Sequence, residues 1–315
     1  MINVRPTTLK EFAGQPQLSH DLNILIQAAK ERKQCPDHIL LSGPPGLGKT
    51  TLAQIIANEL SLPLASTSAP ALSKPGDLLA LLTALNTPSV VFIDEIHALE
   101  RRAEEMLYTA MEDGHVDMII GDGPSTRTLR LKIQPFTLVG ATTQMGTLSA
   151  PLRDRFGFTG RLIPYSVEDL SSIVSRSARI LNVTIDEQAS VLIASRSRGT
   201  PRVANRWLRR IRDWAQVHKH DSITEEIATK ALDDFGIDEL GLDQLARDIL
   251  ITMVAHFGGG PVGLSSIAMA VNESEKTLEQ AYEPHLMQQG LIMRTPRGRV
   301  VTASGYKHIN VPLSE

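Results

Sequence analysis

The sequence predicts an α/β domain, a parallel sheet with helices on both faces, followed by two smaller and mainly helical domains. Brief apolar runs recur in the first half of the 315-residue chain, with helical patterns between them. Such runs are typical of parallel strands that are buried on both faces. After about Tyr165 the strand pattern ends and helical patterns follow. We therefore expect domains at residues 1–165, 166–236 and 237–315.

The candidate strands of the sheet are three runs, at residues 38–42, 89–93 and 136–141. A helix is predicted to begin at Lys49, between the first two runs, because apolar residues follow it at core-facing spacing. This order of strand, helix and strand favours a layered α/β fold.

The middle domain is predicted to contain helices only. The capping-box pattern of residues 166–169 starts its first helix. A second helix extends to Gly199, a candidate C-terminal cap. Thr200 and Pro201 then supply the N-cap and first-turn proline of a third, arginine-rich helix.

The last domain combines helices near residues 243–256, 264–271 and 275–288 with two β-like runs, at 291–293 and 300–302. These two runs flank a Pro-Arg-Gly turn, which predicts a hairpin.

Composition places the chain among globular proteins, with 42% hydrophobic and 21% charged residues. The net charge of −3 does not indicate a nucleic-acid binder, although an average over domains can hide a local basic surface. Cys35 is the only cysteine, so no intrachain disulfide forms, which fits a reducing cytosol. We expect a cytoplasmic protein, because no signal-peptide layout and no apolar run of about 20 residues is present.

Residues 43–50 carry the sequence GPPGLGKT, which matches the phosphate-binding pattern G-x-x-x-x-G-K-[ST] between a strand and a helix. Glycines such as Gly46 and Gly48 let backbone N–H groups point at phosphate oxygens. Lys49 is expected to reach the β- and γ-phosphates, and the Thr50 hydroxyl to bind magnesium. The alternative is a chance match in a glycine turn.

Asp94 and Glu95 follow the second apolar run, at the strand end where ligands of open α/β sheets bind. Asp94 is predicted to hold magnesium, directly or through water. Glu95 is predicted to orient and deprotonate the attacking water, which favours hydrolysis over simple binding. Taken alone, the pair is equally consistent with an acidic helix N-cap.

Weaker signals surround this pair. Thr142 and Thr143 end the third run, where a hydroxyl could sense the γ-phosphate, although a structural threonine is the commoner case. Residues 151–157 carry two arginines, which are either surface charges or donors to a neighbouring subunit's phosphate. Arg202 lies in the first turn of a predicted helix, an unfavourable place for a cation unless an anion binds there.

These motifs together resemble the AAA+ ATPases, and within them the RuvB family, whose members drive branch migration of Holliday junctions in recombination and DNA repair. The similar segments run in order along essentially the entire chain, at residues 43–51, 92–97, 107–113, 136–143, 151–157, 199–205, 259–264 and 288–299. The resemblance implies an AAA+ P-loop ATPase core, a helical lid domain and a C-terminal winged-helix domain. It also implies ATP and Mg²⁺ as cofactors.

The resemblance implies a role for each site residue. Asp94 and Glu95 become the Walker B acids, and Thr143 the first sensor, with Thr142 as the alternative. Arg155 becomes the arginine finger that acts on a neighbouring subunit, and Arg202 the second sensor. The implied nucleotide contacts are Val4, Arg5, Gly46, Gly48, Lys49, Thr50, Thr51, Glu112, Asp113, Gly114, Tyr165 and Arg202, with Thr50 and Asp94 at the metal.

The family works as a hexameric ring on the duplex DNA arms of Holliday junctions, loaded by RuvA and coupled to the nuclease RuvC. We expect these partners here by resemblance. The sequence departs from the family pattern at Ala98 and Gln144, where arginine is usual. These departures put local charge contacts and subunit coupling in doubt.

The C-terminal hairpin is predicted to contact DNA. No acidic residue occurs from Pro284 to Ser314, whereas Arg294, Arg297 and Arg299 are present. As the wing of a winged-helix domain, the hairpin would contact phosphates without reading bases, with Arg294 and Arg299 as the contacts. The alternative is an ordinary basic hairpin.

A second hairpin is predicted at residues 114–134, where Leu129, Leu131 and Ile133 alternate with basic residues. Its apolar face could simply pack inward. The resemblance implies instead that Leu129 and Leu131 are partly exposed and dock RuvA.

Two rival functions remain open from the sequence. A clamp loader or other assembly factor would use the last domain for protein contacts, which the acid-free hairpin disfavours. A small-molecule kinase shares the glycine loop but leaves Glu95, the arginine segment and the last domain unexplained.

Overall fold

The computed structural model describes residues 2–120 and 127–312. The chain divides into two compact units, Met1–Tyr165 and Ser166–Glu315. Among the described residues, no helix is both long and apolar enough to cross a membrane.

The first unit is built on a five-stranded parallel sheet. The strands of the sheet are β1 Ile39–Ser42, β2 Leu64–Ser68, β3 Ser89–Asp94, β6 Phe136–Thr142 and β7 Phe158–Arg161. Two further strands, β4 His115–Ile120 and β5 Arg127–Lys132, form a separate hairpin. The sheet order is β2-β3-β6-β1-β7, and β4 pairs with β5 alone. The three strands predicted from apolar runs are confirmed as β1, β3 and β6.

Helices cover both faces of the sheet. They are α1 Pro16–Arg32, α2 Lys49–Leu60, α3 Pro75–Thr83, α4 Arg101–Asp113 and α5 Ala150–Asp154. On one face, Leu40, Val91 and Leu138 form a buried core with Leu82 of α3 and Leu107 of α4. The alternate strand residues are also buried, and α2 packs against β3 and β6. Burial on both sides explains why these strands read as continuous apolar runs.

The second unit begins with four helices, α6 Val167–Ile180, α7 Glu187–Ser195, α8 Pro201–Val217 and α9 Glu225–Asp234. The Ser166 hydroxyl accepts a hydrogen bond from the Asp169 N–H at 3.0 Å, as the capping box predicts. The predicted C-terminal cap at Gly199 is wrong, because α7 ends at Ser195 and Arg196 is its C-cap. Thr200 is the N-cap of α8 and Pro201 its first residue, as predicted, but the Thr200 hydroxyl donates to the Arg198 carbonyl at 3.0 Å instead of accepting from the helix.

The remaining elements form the predicted winged-helix arrangement around a core of their own. They are α10 Gln244–Phe257, α11 Leu264–Ala270, α12 Glu275–Thr277, a π-helical turn Leu278–Tyr282, α13 Glu283–Gln288, β8 Ile292–Thr295, β9 Gly298–Val301 and α14 Ala303–His308. The predicted helix at 275–288 is thus interrupted. Pro284 explains the interruption, since it has no N–H to continue an α-helical ladder.

Candidate nucleotide site and DNA-binding surfaces

The glycine loop between β1 and α2 adopts a backbone that only glycine takes easily. Gly43, Gly46 and Gly48 have φ angles of 139°, 83° and 111°. A Cβ atom on Gly43 would lie 2.5 Å from the Leu162 carbonyl oxygen. The loop can therefore turn tightly and aim successive N–H groups into one concave surface, which suits phosphate oxygens.

Lys49, the first residue of α2, is only 7% exposed. Its Nζ donates to the Gly43 and Pro44 carbonyl oxygens at 2.7 and 2.9 Å, so the loop positions the ammonium group along its own edge. Gly48 occupies the N-cap of α2 and offers no capping side chain. The first N–H groups and the dipole of α2 can therefore serve an anion.

Two aromatic side chains support the loop. The Tyr165 hydroxyl donates to the Leu47 carbonyl at 3.0 Å, and a Cβ on Gly48 would meet the Phe12 ring at 3.3 Å. Val4 is buried, whereas Arg5 is exposed. Sequence reasoning named Tyr165 but missed Phe12, for which no motif provides a signal.

The acidic pair lies at the same end of the sheet as the loop, because both follow the carboxyl ends of parallel strands. Only β6 separates β3 from β1. The Asp94 Oδ1 accepts a hydrogen bond from the Glu95 N–H at 3.0 Å. Glu95 has a left-handed backbone, with φ of 51°, and its side chain is exposed. The turn thus holds one carboxylate against the backbone and leaves the other free to meet a water molecule.

The structure separates the two threonines at the end of β6. Thr142 is 1% exposed; its hydroxyl lies 3.1 Å from His97 Nδ1 and accepts from the Gln144 N–H at 2.9 Å. Thr143 is exposed. His97, which sequence reasoning did not assign to the site, therefore engages Thr142, and Thr143 has the accessible hydroxyl.

Arg155 lies at the end of the sheet where the parallel strands begin, whereas the loop lies where β1 ends. It precedes β7, and Phe158 at the start of β7 pairs with Ile39 at the start of β1. A cleft there is lined by Asp37, His38, Gly114 and Arg155, among others. Because a four-residue strand spans roughly 13 Å, Arg155 is remote from the loop of its own subunit.

One face of α4 positions Arg155. Its guanidinium forms an ion pair with Glu112 at 2.7 Å and lies 4.8 Å from the centre of the Tyr108 ring. The Tyr108 hydroxyl contacts Glu104 and, at 2.8 Å, Ser149, whose own hydroxyl caps α5 by accepting from the Leu152 N–H. Burial and the Glu104 carboxylate raise the pKa of Tyr108. Sequence reasoning missed Tyr108, although its spacing of four from residues 104 and 112 places all three on one helix face.

Arg202 lies in the first turn of α8, as predicted, and its side chain is exposed. It belongs to the second unit, whereas the loop belongs to the first.

Strands β4 and β5 pair as the predicted hairpin, with Val116 opposite Leu131. Residues 121–126 of the predicted hairpin lie outside the described residues. Leu129 is 44% exposed, whereas Leu131 is partly buried against the core of the sheet domain. Asp117 and Arg130 pair across the strands at 3.0 Å. The two leucines therefore have different environments.

Strands β8 and β9 form the wing, in which Arg294 lies opposite Arg299. Arg294 and Arg297 are exposed. Arg299 donates from Nε and from its terminal nitrogen to the two carboxylate oxygens of Glu283, each at 2.9 Å. This buried pair argues against Arg299 as a DNA contact, because the guanidinium is already neutralised and removed from solvent.

The sheet order, the glycine loop after β1, the acids after β3 and the threonines between them define a P-loop ATPase of the AAA+ class. Three family models match in succession. They are the Holliday junction DNA helicase RuvB P-loop domain at residues 4–162, the RuvB AAA lid domain at 165–238 and the RuvB C-terminal winged helix domain at 239–310. The chain belongs to the RuvB family.

Solved structures agree with this assignment. The Thermotoga maritima RuvB Holliday junction branch migration motor is 46% identical, with a TM-score of 0.89 and 99% coverage of both chains. A single-residue mutant of T. maritima RuvB is also 46% identical, with a TM-score of 0.90 and coverage of 98% of this chain and 100% of that one. The Aeropyrum pernix ORC2 protein, solved as ADPNP and ADP complexes, shares the fold at 18% identity, with a TM-score of 0.56 and coverage of 91% and 88%.

The activity follows from membership of this family. The chain is an ATP-hydrolysing motor for branch migration of Holliday junctions, and it binds nucleotide and DNA.

Proposed function

We propose that this chain hydrolyses Mg²⁺-ATP at sites shared between neighbouring subunits of a homo-hexameric ring, and that the ring moves the duplex arms of a Holliday junction. The position of Arg155 carries this proposal, because it lies at the end of the sheet where the strands begin, opposite the glycine loop. An arginine that cannot reach its own subunit's phosphate is available to a neighbour's.

Within one subunit, Lys49 neutralises the β- and γ-phosphates while the N–H groups at Gly46, Gly48 and Thr51 cradle them. Glu95 orients the attacking water and accepts its proton, and Thr143 hydrogen-bonds the γ-phosphate. Val4, Arg5 and Tyr165 line the base and ribose.

Thr50 and Asp94 fit Mg²⁺, since a hydroxyl and a carboxylate are the oxygen ligands it prefers. Among the described residues, no group of three or more His, Cys, Asp or Glu side chains could hold a metal. When bound by Thr50, Asp94 and the phosphates, the ion would offset the negative charge that develops during phosphoryl transfer.

The face of α4 that carries Glu112 and supports Arg155 acts on the neighbour's nucleotide. Arg155 and Glu112 form an ion pair, and Gly114 lines the same cleft as Arg155. We therefore assign Glu112, Asp113 and Gly114 to the nucleotide of the adjacent subunit. Arg202, exposed in the first turn of α8, serves as the second sensor that links nucleotide state to the lid domain.

The wing contacts DNA phosphates through Arg294 and Arg297, and Arg299 holds the wing in place through Glu283. Exposed cations that contact phosphates suit a motor that travels along any sequence. Leu129 at the β4–β5 hairpin docks RuvA, with Leu131 beneath it. RuvC acts with the same assembly, and the cytoplasm is its compartment.

The test is migration of a synthetic four-way junction by the purified chain with ATP, Mg²⁺ and RuvA. We expect strand products with the unmodified chain, none with Lys49→Ala, and none with Glu95→Gln, which should still bind ATP. Migration that is equally fast with Lys49→Ala would refute the proposed site.

A further inference from the structure

Arg198, in the turn between α7 and α8, reaches out of the lid domain into the winged-helix domain. Its Nε donates to the Gly241 carbonyl at 2.7 Å, and a terminal nitrogen lies 3.2 Å from Asp243 Oδ2. Its guanidinium carbon is 5.7 Å from the centre of the Tyr282 ring. Arg198 has a left-handed backbone, with φ of 53°, a conformation uncommon for a non-glycine residue and worth a functional explanation.

Asp243 joins this arginine to two helices. Its Oδ1 caps α10 by accepting from the Ala246 N–H at 3.0 Å, while its Oδ2 accepts from the Tyr282 hydroxyl at 3.4 Å as well as from Arg198. A single carboxylate therefore ties the lid turn to the first helix and to the π-helical turn of the winged-helix domain.

The contacts continue to the wing. Tyr282 ends the π-helical turn, and its neighbour Glu283 holds Arg299 through two hydrogen bonds of 2.9 Å. Arg299 lies opposite Arg294 in the β8–β9 ladder. A continuous series of side chains and one strand pair thus joins the turn before α8 to the proposed DNA contact. π-turns inside helices often occur at functional sites.

The linker between the two domains is held on both sides. The Asp238 carboxylate accepts from the N–H groups of Leu240 and Leu242 at 3.0 and 2.8 Å and lies 2.9 Å from His308 Nε2. A Cβ on Gly241 would lie 2.5 Å from the Arg196 carbonyl oxygen, so the linker backbone packs directly on the lid. Such a linker transmits displacement, whereas a solvated flexible chain would absorb it.

We propose that Arg198 and Asp243 are positioning residues that transmit movement of the first turn of α8 to the DNA-binding wing. Arg202 follows Arg198 by four residues, so a nucleotide-driven shift at Arg202 displaces the anchored turn directly. The inference rests on the proposed roles of Arg202 and of the wing. Contiguous packed groups carry coupling only where both ends bias one element, so the claim needs a coupling measurement.

The experiment measures junctions migrated per ATP hydrolysed, with ATPase rate, DNA affinity and Tm recorded for each full-length variant. Arg198→Ala is compared with Arg212→Ala, an arginine of α8 whose ion pair among the described residues is with its neighbour Asp213. Asp243→Ser keeps a capping hydroxyl for α10 but loses the charge opposite Arg198. Arg198→Lys is the milder variant should Arg198→Ala fold poorly.

We expect Arg198→Ala and Asp243→Ser to keep the ATPase rate and DNA affinity within about twofold of the Arg212→Ala control while migration per ATP falls at least fivefold. The double variant should be no worse than either single one. Arg198→Lys should fall between Arg198→Ala and the control, because it keeps the charge opposite Asp243.

A migration-to-ATP ratio equal to the control in Arg198→Ala and Arg198→Lys would overturn the inference, as would two effects that simply add. Arg294→Ala is measured in parallel. If it binds DNA normally, the wing proposal fails on its own evidence, and the Arg198 ratio still reports coupling between the lid and the winged-helix domain.

Discussion

Arg299 and Glu283 form a bidentate ion pair in which the side chains are 11% and 7% exposed. Glu283 is the residue immediately before the acid-free stretch that marks the wing as basic. The pair divides the wing arginines into two kinds. Arg299 neutralises a buried acid, and breaking such a pair typically costs about 3–5 kcal/mol. Arg294 and Arg297 keep their charge in solvent.

Arg294→Ala should weaken duplex binding by about the same factor on unrelated sequences and reduce the slope of log affinity against log salt by about 1, since one phosphate contact is lost. Arg297→Ala should behave in the same way. Fluorescence anisotropy with two unrelated duplexes over a salt series measures both effects.

Arg299→Ala should differ in kind from these two variants. We expect a loss of several kcal/mol in the free energy of unfolding, of the order expected for an orphaned buried carboxylate, measured by urea titration. A stable Arg299→Ala protein whose only defect is a lower salt slope would return Arg299 to the DNA surface.

Arg155→Ala should bind ATP normally and hydrolyse it at least 100-fold more slowly in the assembled ring, because the finger stabilises charge that develops at the neighbour's phosphate. Mixing Arg155→Ala with Lys49→Ala subunits should restore part of the hydrolysis, since hybrid interfaces pair an intact loop with an intact finger. Steady-state ATPase rate against mixing ratio provides the measurement. Mixtures of Arg155→Ala and Lys49→Ala that never exceed the sum of their separate activities would contradict action between subunits.

Tyr108→Leu should lower kcat of the assembled hexamer without changing its affinity for ATP. The reason is that the aromatic face supporting Arg155 is lost while the glycine loop is untouched. Tyr108→Phe is the matched control, which keeps the ring and removes only the hydroxyl.

Leu129→Asp should spare the fold and ATP binding and abolish stimulation by RuvA, because Leu129 is the exposed leucine of the hairpin. Leu131→Asp should also lower Tm, since Leu131 packs against the core of the sheet domain. RuvA-stimulated unwinding and thermal melting of both variants separate docking from stability. Normal stimulation of Leu129→Asp by RuvA would exclude this surface.

His38 should make stability fall as the solution becomes acidic. Burial lowers the pKa of His38, and the ring is held by two contacts: Nδ1 accepts from the Leu138 N–H at 2.9 Å, and Nε2 lies 3.3 Å from the Met111 carbonyl. Both contacts suit the neutral ring with its proton on Nε2.

Because the folded pKa of His38 is below the unfolded value of about 6.5, the unfolded chain binds more protons between the two values. The free energy of unfolding therefore decreases as pH falls through about 6.5 and levels off below the folded pKa. Burial lowers the pKa of His285 in the same direction. The free energy of unfolding, measured by urea titration at pH values from 7.5 to 5, should depend less steeply on pH in His38→Asn than in the unmodified chain. An unchanged pH dependence in this variant would assign the effect to another group.

The loop, the acidic pair and the strands β1, β3 and β6 are recognisable from the chain because each depends on neighbours a few residues away. A glycine pattern dictates positive φ angles, and burial on both faces dictates an apolar run. Local propensity was less reliable at helix ends, where the hydroxyl of Thr200 found a nearby carbonyl instead of its predicted capping partner.

The partners of the charged and hydroxyl groups depended on the folded chain. Thr142 and Thr143 are alike in sequence, yet only one meets His97, and Arg294 and Arg299 differ because Glu283 lies beside one of them. Those partners are 45 and 16 residues distant, respectively. The glycine loop and the acids can be read along the chain because backbone conformation is a local property, whereas desolvation and ion pairing arise only when distant segments are brought into contact.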